Sequence, residues 1–255
     1  PEALPLLGDA KATLDVMLDR GRPVDRDTAS SRAEANRKAR EAFMASLAPC
    51  FSREGAPVHP MRFVGELQEA LPENAIVVAD PGISAVYASA FLKLKGAGRK
   101  WICNFAVGAL GYGMPAGIGA SYAHDGPVVV LTGDGSFGFT AGELETLKRS
   151  GRDVKVVLFN NECFGWIRAT SRFSGGGGRF VTDFSATDYP AVARGFGLPA
   201  CRVGDSATLG PVLKDIFSAR GPFFMEMPVL PEDEQVPPVP EWAEEAARLG
   251  MDCPY

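Results

Sequence analysis

The chain has 255 residues, of which 46% are hydrophobic and 22% charged, an ordinary globular composition that excludes a disordered segment, a collagen-like repeat and a small disulfide scaffold. Its 26 Lys and Arg stand against 31 Asp and Glu, a formal net charge of −5, so no basic face supports binding to nucleic acid. No apolar run approaches the roughly 20 residues needed to cross a bilayer, and the opening Pro1-Glu2-Ala3-Leu4-Pro5 lacks the basic end and apolar stretch of a secretion signal, so a soluble, cytoplasmic protein without a membrane partner is expected.

In chain order, residues 1–21 hold a short apolar start (Leu4, Leu6, Leu7), a Gly8-Asp9 turn and a helix-period segment from Ala10 to Leu18 ended by Gly21. This reads as one strand and one helix of an α/β unit whose partners are missing. Residues 22–58 are charged and Ala-rich from Arg26 to Arg40, then loop-like through 52–57; a solvated helix or linker is expected there, with a domain boundary. From Pro60 onward helices and strands alternate. Helical periodicity covers 61–71, the run Ile76–Ala79 stops at Asp80-Pro81-Gly82, residues 84–95 are predicted helical, and the Gly-rich stretch Gly108–Gly119 opens another helix. Strand Val128–Thr132, helix 140–150, strand Val154–Phe159, a polar loop, helix 188–195, a short strand near 201–203, helix 206–219 and strand Phe223–Val229 complete the series. Short continuous apolar runs between helices mark buried parallel strands. Residues 59–230 are therefore predicted to form a doubly wound α/β domain, a mostly parallel sheet with helices on both faces. The Pro-rich, acidic tail 231–255 is expected to carry a short helix over Trp242–Leu249 and to pack across a surface or a partner.

Five scattered cysteines without a C-x-x-C pair point to reduced thiols and no zinc site. Only two histidines occur, His59 in a Val-His-Pro turn and His124 after an apolar helical stretch, and both read as structural or surface residues. Chemistry in such a chain is borrowed from a cofactor. Ligands of a doubly wound sheet sit at the carboxyl ends of its strands, which directs attention to loops 80–84, 104–113, 133–139 and 160–167.

Gly133-Asp134-Gly135-Ser136-Phe137-Gly138 fits G-x-G-x-x-G between a strand and a helix, the dinucleotide context. Asp134, however, would aim a carboxylate at a pyrophosphate, and the next strand ends in Phe159-Asn160-Asn161 where a ribose-binding acid would stand. A nicotinamide dehydrogenase is thus the weaker alternative. Both details suit a metal-bridged diphosphate, because Asp134 and Asn161 end adjacent strands and can face one hard cation such as Mg²⁺. Glycines at 133 and 135 admit a close phosphate, and a helix N-terminus favours its charge. A Gly-rich βα turn with a polar cap accounts for 133–138 alone, but leaves the asparagine pair unexplained.

Gly133-Asp134-Gly135 followed by Asn160-Asn161, with Asn161 27 residues beyond Asp134, resembles the thiamine-diphosphate motif, and Gly108-Ala-Leu-Gly-Tyr-Gly-Met-Pro-Ala-Gly-Ile-Gly119 is similar to the equivalent stretch of acetolactate-synthase-like enzymes. The resemblance spans roughly residues 60–230. Leu7-Gly8-Asp9-Ala10 resembles the end of that family's central domain, so the abrupt start reads as a cut or gene split within a longer enzyme. The resemblance implies Asp134 and Asn161 as side-chain ligands of Mg²⁺, with the Cys163 carbonyl as a third; a redox or nucleophilic Cys163 thiol is the competing reading. It further implies that Gly133, Gly135, Ser136 and Gly165 bind the diphosphate, that Gly82 and Ser84 cover it from the first strand, and that the Gly108 carbonyl accepts from the aminopyrimidine. Leu110 takes the place of the bulky residue beneath a bent thiamine diphosphate, whose 4′-amino group then lies beside C2; Leu110 and Gly108 are accordingly the catalytic positions. The glutamate that protonates the pyrimidine belongs, in the family, to a separate pyrimidine-binding domain. No segment here resembles it, and Glu143 and Glu145 read as surface charges of a first turn. A partner chain carrying that domain and glutamate is implied, in a dimer or tetramer of such pairs.

The sequence departs from acetolactate synthases in lacking their Gln-His pair near Gly82-Ile83-Ser84, and in having Thr170 where a substrate-selecting tryptophan stands. Trp166, Ile167 and Thr170 are the expected substrate pocket. Arg168 or Arg172 is expected either to meet an anionic substrate tail or to be a solvated helix arginine, and Gly175–Gly178 to form a mobile loop beside the site. The implied activity is cleavage, decarboxylation or ligation of a 2-oxo acid or acyloin-type substrate. The alternative from another class is a non-catalytic, cofactor-binding regulatory chain of the same fold.

Overall fold

A computed structural model of the protein describes residues 3–94, 100–173, 179, 181–235 and 238–251. The Gly175–Gly178 run lies outside the described residues. The chain divides into two compact units, Pro1–Leu47 and Ala48–Tyr255. In the first, Asp9 caps α1 (Ala10–Arg20) by accepting the Ala12 N–H at 2.9 Å, and Asp25 caps α2 (Arg26–Ser46) through the Thr28 N–H at 2.9 Å. Neither helix buries a residue, and Arg37 ties Glu34 and Glu41 along the surface of α2, each at 2.6 Å. The solvated helix expected within 22–58 is present. The strand expected before α1 is not, because residues 3–7 are irregular. A strand needs a neighbour to take its N–H and C=O groups, and among the described residues every sheet strand belongs to the second unit.

Residues 48–58, expected as the rest of a linker, belong to that second unit. α3 (Ala48–Phe51) sets the Phe51 ring edge-on to Phe91 at 5.8 Å, the Gly55 N–H donates to Ser206 Oγ at 2.9 Å, and Val58 is fully buried. There follow α4 (Pro60–Ala70), β1 (Ile76–Ala79), α5 (Ile83–Phe91), β2 (Trp101–Cys103), α6 (Gly113–Tyr122), β3 (Val128–Gly133), α7 (Asp134–Thr140), α8 (Glu143–Ser150), β4 (Val154–Asn160), α9 (Gly165–Phe173), α10 (Tyr189–Gly195), β5 (Ala200–Arg202), α11 (Ser206–Ser218), β6 (Phe223–Pro228) and α12 (Pro240–Arg248). The strands form one parallel sheet in the order β2-β1-β3-β4-β6-β5. Alternate residues of each strand serve opposite faces. Val78, Val130, Val156 and Phe224 join Met114 of α6, Phe137 of α7 and Leu144 and Leu147 of α8 in one layer. Phe159, on the other face, meets Phe63 of α4 edge-on at 5.1 Å. The doubly wound α/β architecture is thereby in place.

Three local expectations differ from the structure. β2 was not legible, being three residues with no period, paired only with β1. The helix predicted to reach residue 95 stops at Phe91, since the Lys93 N–H is drawn to Gln68 Oε1 at 2.6 Å. The predicted loop 133–139 and helix 140–150 are instead two helices, with β3 running straight into α7. The G-x-G-x-x-G residues thus lie at the strand end and within a helix rather than in an open loop.

His59 is buried at the N-cap of α4, its Nδ1 accepting the Met61 N–H at 3.2 Å and its ring edge-on to Tyr87 at 6.1 Å. Burial, with the Arg53 charge adding to it, lowers its pKa to about 4. The unfolded chain therefore takes up the proton first, and the stability contributed by neutral His59 is complete above about pH 6.5 and lost as pH falls toward 4. His59→Asn keeps a cap acceptor but cannot titrate. Urea titrations across pH 7 to 4 should show wild type losing on the order of 3 kcal/mol relative to the variant; a constant difference would contradict this.

Candidate active site

The site forms where β1, β3 and β4 end side by side. Asp80, just past β1, is buried; its Oδ1 accepts the Gly113 N–H at 2.9 Å and its Oδ2 the Thr132 hydroxyl at 2.7 Å. It fastens the start of α6 to the ends of two strands and so places the loop bearing Gly108 and Leu110. Burial raises the Asp80 pKa against these hydrogen bonds. Gly82 caps α5 at φ 136°, a conformation that strains any residue with a Cβ.

Asp134 opens α7 and is 3% exposed. Its Oδ1 accepts the Gly135 N–H at 2.8 Å, while Oδ2 has no hydrogen-bond partner. Burial pushes its pKa up to about 7, against the N–H groups of Gly135, Glu162, Asn161 and Cys163 that favour the anion. One strand away, the two asparagines face different ways. Asn160 donates to Glu226 Oε1 at 2.7 Å, accepts the Glu162 N–H at 3.1 Å and holds the left-handed kink at Glu162 (φ 54°). Glu226, fully buried, is balanced by Arg202 Nε at 2.7 Å. Asn161 turns into the site, with Oδ1 accepting the Cys163 N–H at 3.3 Å and Nδ2 donating to Glu232 Oε2 at 2.8 Å.

A cavity of about 370 Å³ gathers Gly82, Ser84, Gly108, Leu110, Gly133, Asp134, Gly135, Ser136, Asn161, Cys163, Gly165, Trp166 and Ile167, together with Phe105, Phe164 and Glu232. Thr170 is not among its lining residues. It lies one turn further along α9, exposed, with its hydroxyl donating to the Trp166 carbonyl at 2.8 Å. The Cys163 thiol is 2% exposed and its pKa is pushed up to about 12 by burial and by the carboxylates of Glu232 and Asp134. It stays protonated at neutral pH, and a buried, protonated thiol is a poor nucleophile. Arg168 is neither solvated nor free for a substrate. It is 7% exposed, its Nε lies 3.0 Å from Asp233 Oδ1, and its Nη2 donates to Glu234 Oε1 at 3.0 Å. Arg172 Nη1 donates to the Asp233 carbonyl at 2.6 Å.

An unpartnered, buried carboxylate oxygen facing a cavity costs free energy unless a cation meets it. Asn161 lines the same cavity, so two side-chain oxygens, with one formal charge from Asp134, are available there, a pair that fits a hard divalent ion. Residues 80–227 match the model of the thiamine pyrophosphate enzyme C-terminal TPP-binding domain. The chain belongs to the thiamine pyrophosphate enzyme family. Across 196 residues it is 27% identical to acetolactate synthase isozyme 1 large subunit of Escherichia coli (strain K12), covering 76% of this chain and 35% of that protein. Across 198 residues it is 31% identical to the chloroplastic acetolactate synthase of Arabidopsis thaliana, covering 74% of this chain and 29% of that protein. The fold superposes on the Rhodococcus jostii RHA1 thiamine diphosphate-dependent 4-hydroxybenzoylformate decarboxylase with a TM-score of 0.65 at 24% identity, covering 70% of this chain and 34% of that chain. The chain spans about a third of the length of the curated relatives it matches.

As a thiamine pyrophosphate enzyme domain, the chain has three site residues that sequence reasoning passed over. Asp80 reads in the sequence as a strand stop, Asn160 as the first residue of the Asn160-Asn161 motif with no role of its own, and Glu232 as part of an acidic tail packed across a surface or a partner. Asp80 and Asn160 stand at strand ends, a position that itself signals a site. Glu232 had no local signal. No helix among the described residues is long and apolar enough to cross a membrane.

Proposed function

We propose that the chain supplies the diphosphate-and-metal half of a thiamine-diphosphate-dependent lyase, decarboxylase or carboligase acting on a 2-oxo acid or acyloin-type substrate. The supporting observation is the convergence of Asp134, Asn161 and Cys163 on one cavity with Gly108 and Leu110, with the Asp134 Oδ2 left unpartnered. In this reading the side-chain oxygens of Asp134 and Asn161 and the carbonyl of Cys163 hold Mg²⁺, and Gly133, Gly135, Ser136 and Gly165 receive the diphosphate. Gly82 and Ser84 cover it from β1. The Gly108 carbonyl accepts from the aminopyrimidine, and half-buried Leu110 fills the space beneath the cofactor. Bound there, thiamine diphosphate would supply a deprotonated thiazolium C2 as the nucleophile toward the 2-oxo carbonyl and its cationic ring nitrogen as the sink for the electron pair of the breaking C–C bond. Trp166 and Ile167, both exposed, give that end of the cavity an apolar lining for the substrate. Thr170, outside the lining, is not assigned a substrate contact.

Among the described residues Glu232 is the one carboxylate besides Asp134 in the cavity lining, and it is bonded to Asn161 at the metal end. It is thus poorly placed to protonate a pyrimidine held at Gly108. A partner chain bearing a pyrimidine-binding domain supplies that glutamate, in a dimer or tetramer of such pairs. Scattered thiols suit a reducing, cytoplasmic setting. The test is to assemble this chain with the partner, thiamine diphosphate and Mg²⁺ and to follow both 2-oxo acid turnover and exchange of the thiazolium C2 proton for deuterium. Turnover with fast exchange is expected. Cofactor binding without exchange would instead identify a non-catalytic, regulatory chain.

A further inference from the structure

The tail after β6 is expected from the sequence to pack across a surface or a partner, yet its first turn lines the cavity through Glu232. Glu232 is 2% exposed and its Oε2 accepts the Asn161 amide at 2.8 Å. Gly165 is what lets it arrive. A Cβ at 165 would overlap both the Glu232 carboxylate and the Asn161 Nδ2. The next two residues are pinned from the other side: Arg168 meets Asp233 at 3.0 Å and Glu234 at 3.0 Å, and Arg172 meets the Asp233 carbonyl at 2.6 Å. The turn is closed within itself by the Glu234 and Gln235 N–H groups, each donating to the Pro231 carbonyl at 2.9 Å.

An asparagine side chain has two nearly isosteric ends, a carbonyl that can ligate a cation and an NH₂ that repels it. Which end faces the cation depends on what holds the other. A carboxylate oxygen accepts and does not donate to Asn161, so it fixes the NH₂ toward residue 232 and leaves the carbonyl oxygen for the opposite side, where the 163 N–H also holds it. We propose that Glu232 is a positioning residue of the metal site, orienting Asn161 as a ligand, and that residues 231–235 are clamped to α9 in order to deliver it. The proposal rests on the metal reading above. Glu232 acts through Asn161 and need not touch the cation; outer-shell partners of this kind typically carry 10–100-fold in metal affinity.

The experiment is Mn²⁺ binding to the full chain in the presence of thiamine diphosphate, followed by electron paramagnetic resonance, with thermal unfolding of each variant as the control for folding. Glu232→Ala is expected to weaken Mn²⁺ by about 10–100-fold and to broaden the bound spectrum. Glu232→Gln, which keeps an acceptor oxygen, should restore affinity to within a few-fold. Asn161→Ala should lose at least as much as Glu232→Ala, and the double variant should lose no more than Asn161→Ala alone, the mark of one residue acting through the other. Glu232→Ala binding as wild type, Glu232→Gln failing as badly as Glu232→Ala, or additive losses in the double variant would each overturn the positioning role. Asp134→Ala separates the two readings: if it leaves Mn²⁺ binding intact, the metal site itself is wrongly assigned, whereas its loss beside an unaffected Glu232→Ala refutes the role of Glu232 alone.

Discussion

Asp134→Asn is expected to abolish cation-dependent binding of thiamine diphosphate while making the ligand-free chain more stable. The carboxylate is 3% exposed, its Oδ2 has no partner, and burial holds its pKa near 7. Asparagine keeps the size and the acceptor that meets the Gly135 N–H, and removes the charge. Affinity for the divalent ion should fall by more than the roughly 100-fold upper range of an outer-shell partner. The free chain, relieved of a buried anion whose desolvation outweighs the N–H groups around it, should gain about 1–2 kcal/mol. The same burial fixes the pH dependence in wild type. Below about pH 7 the cation must displace a proton from Asp134, so apparent affinity should fall roughly tenfold per pH unit toward acid, with proton release detectable as a buffer-dependent heat. Calorimetry on wild type and Asp134→Asn measures all of this. Undiminished binding by the variant would remove Asp134 from the metal site.

Arg168→Ala is the second large effect, and it acts on stability. Arg168 and Asp233 are 7% and 5% exposed, and their ion pair is the inner end of a network that includes Glu234, Asp183 at 3.5 Å and Arg172. Removing the arginine leaves the buried Asp233 carboxylate with the longer contact to the 41% exposed Arg172, at 3.5 Å, as its remaining ion pair among the described residues. The cost of stranding one partner of a buried pair is about 3–5 kcal/mol, whereas replacing both by apolar groups of similar volume is often close to neutral. Arg168→Ala should accordingly lower the urea midpoint strongly, and Arg168→Met with Asp233→Leu should recover most of the loss. A single variant within about 1 kcal/mol of wild type would show that solvent already screens the pair.

The parallel sheet was legible in the sequence because its inner strands are buried on both faces. Val128–Leu131 is a continuous apolar run and Val154–Phe159 is apolar but for the buried Lys155, neither with an exposed residue, and such runs between helices leave few alternatives. The edge strand Trp101–Cys103 is half-buried and short, so its existence depends on β1 and not on its own residues. At the site, Asp134 and Asn161 could be picked out because their chemistry contradicts a dinucleotide turn. Asn160 stood beside them in the motif, yet successive side chains at a strand end point to opposite sides, Asn160 to Glu226 and Asn161 to Glu232. Glu232 was invisible for a different reason: it reaches Asn161 across 71 residues of chain, by a turn held through Arg168 and Arg172. No pattern within the acidic tail distinguishes a carboxylate that enters a cavity from one in solvent. Thr170 shows the reverse error, since a position matched along the sequence need not face the cavity when a helix sets the distance.

The central claim is that the ends of β3 and β4 bind a diphosphate through a divalent cation. Isothermal titration of the full chain with thiamine diphosphate, with and without Mg²⁺ at pH 7.5 or above, tests it most directly. Saturable binding that appears only with Mg²⁺ and disappears in Asp134→Asn is the predicted result. Equal binding with and without Mg²⁺ would contradict it.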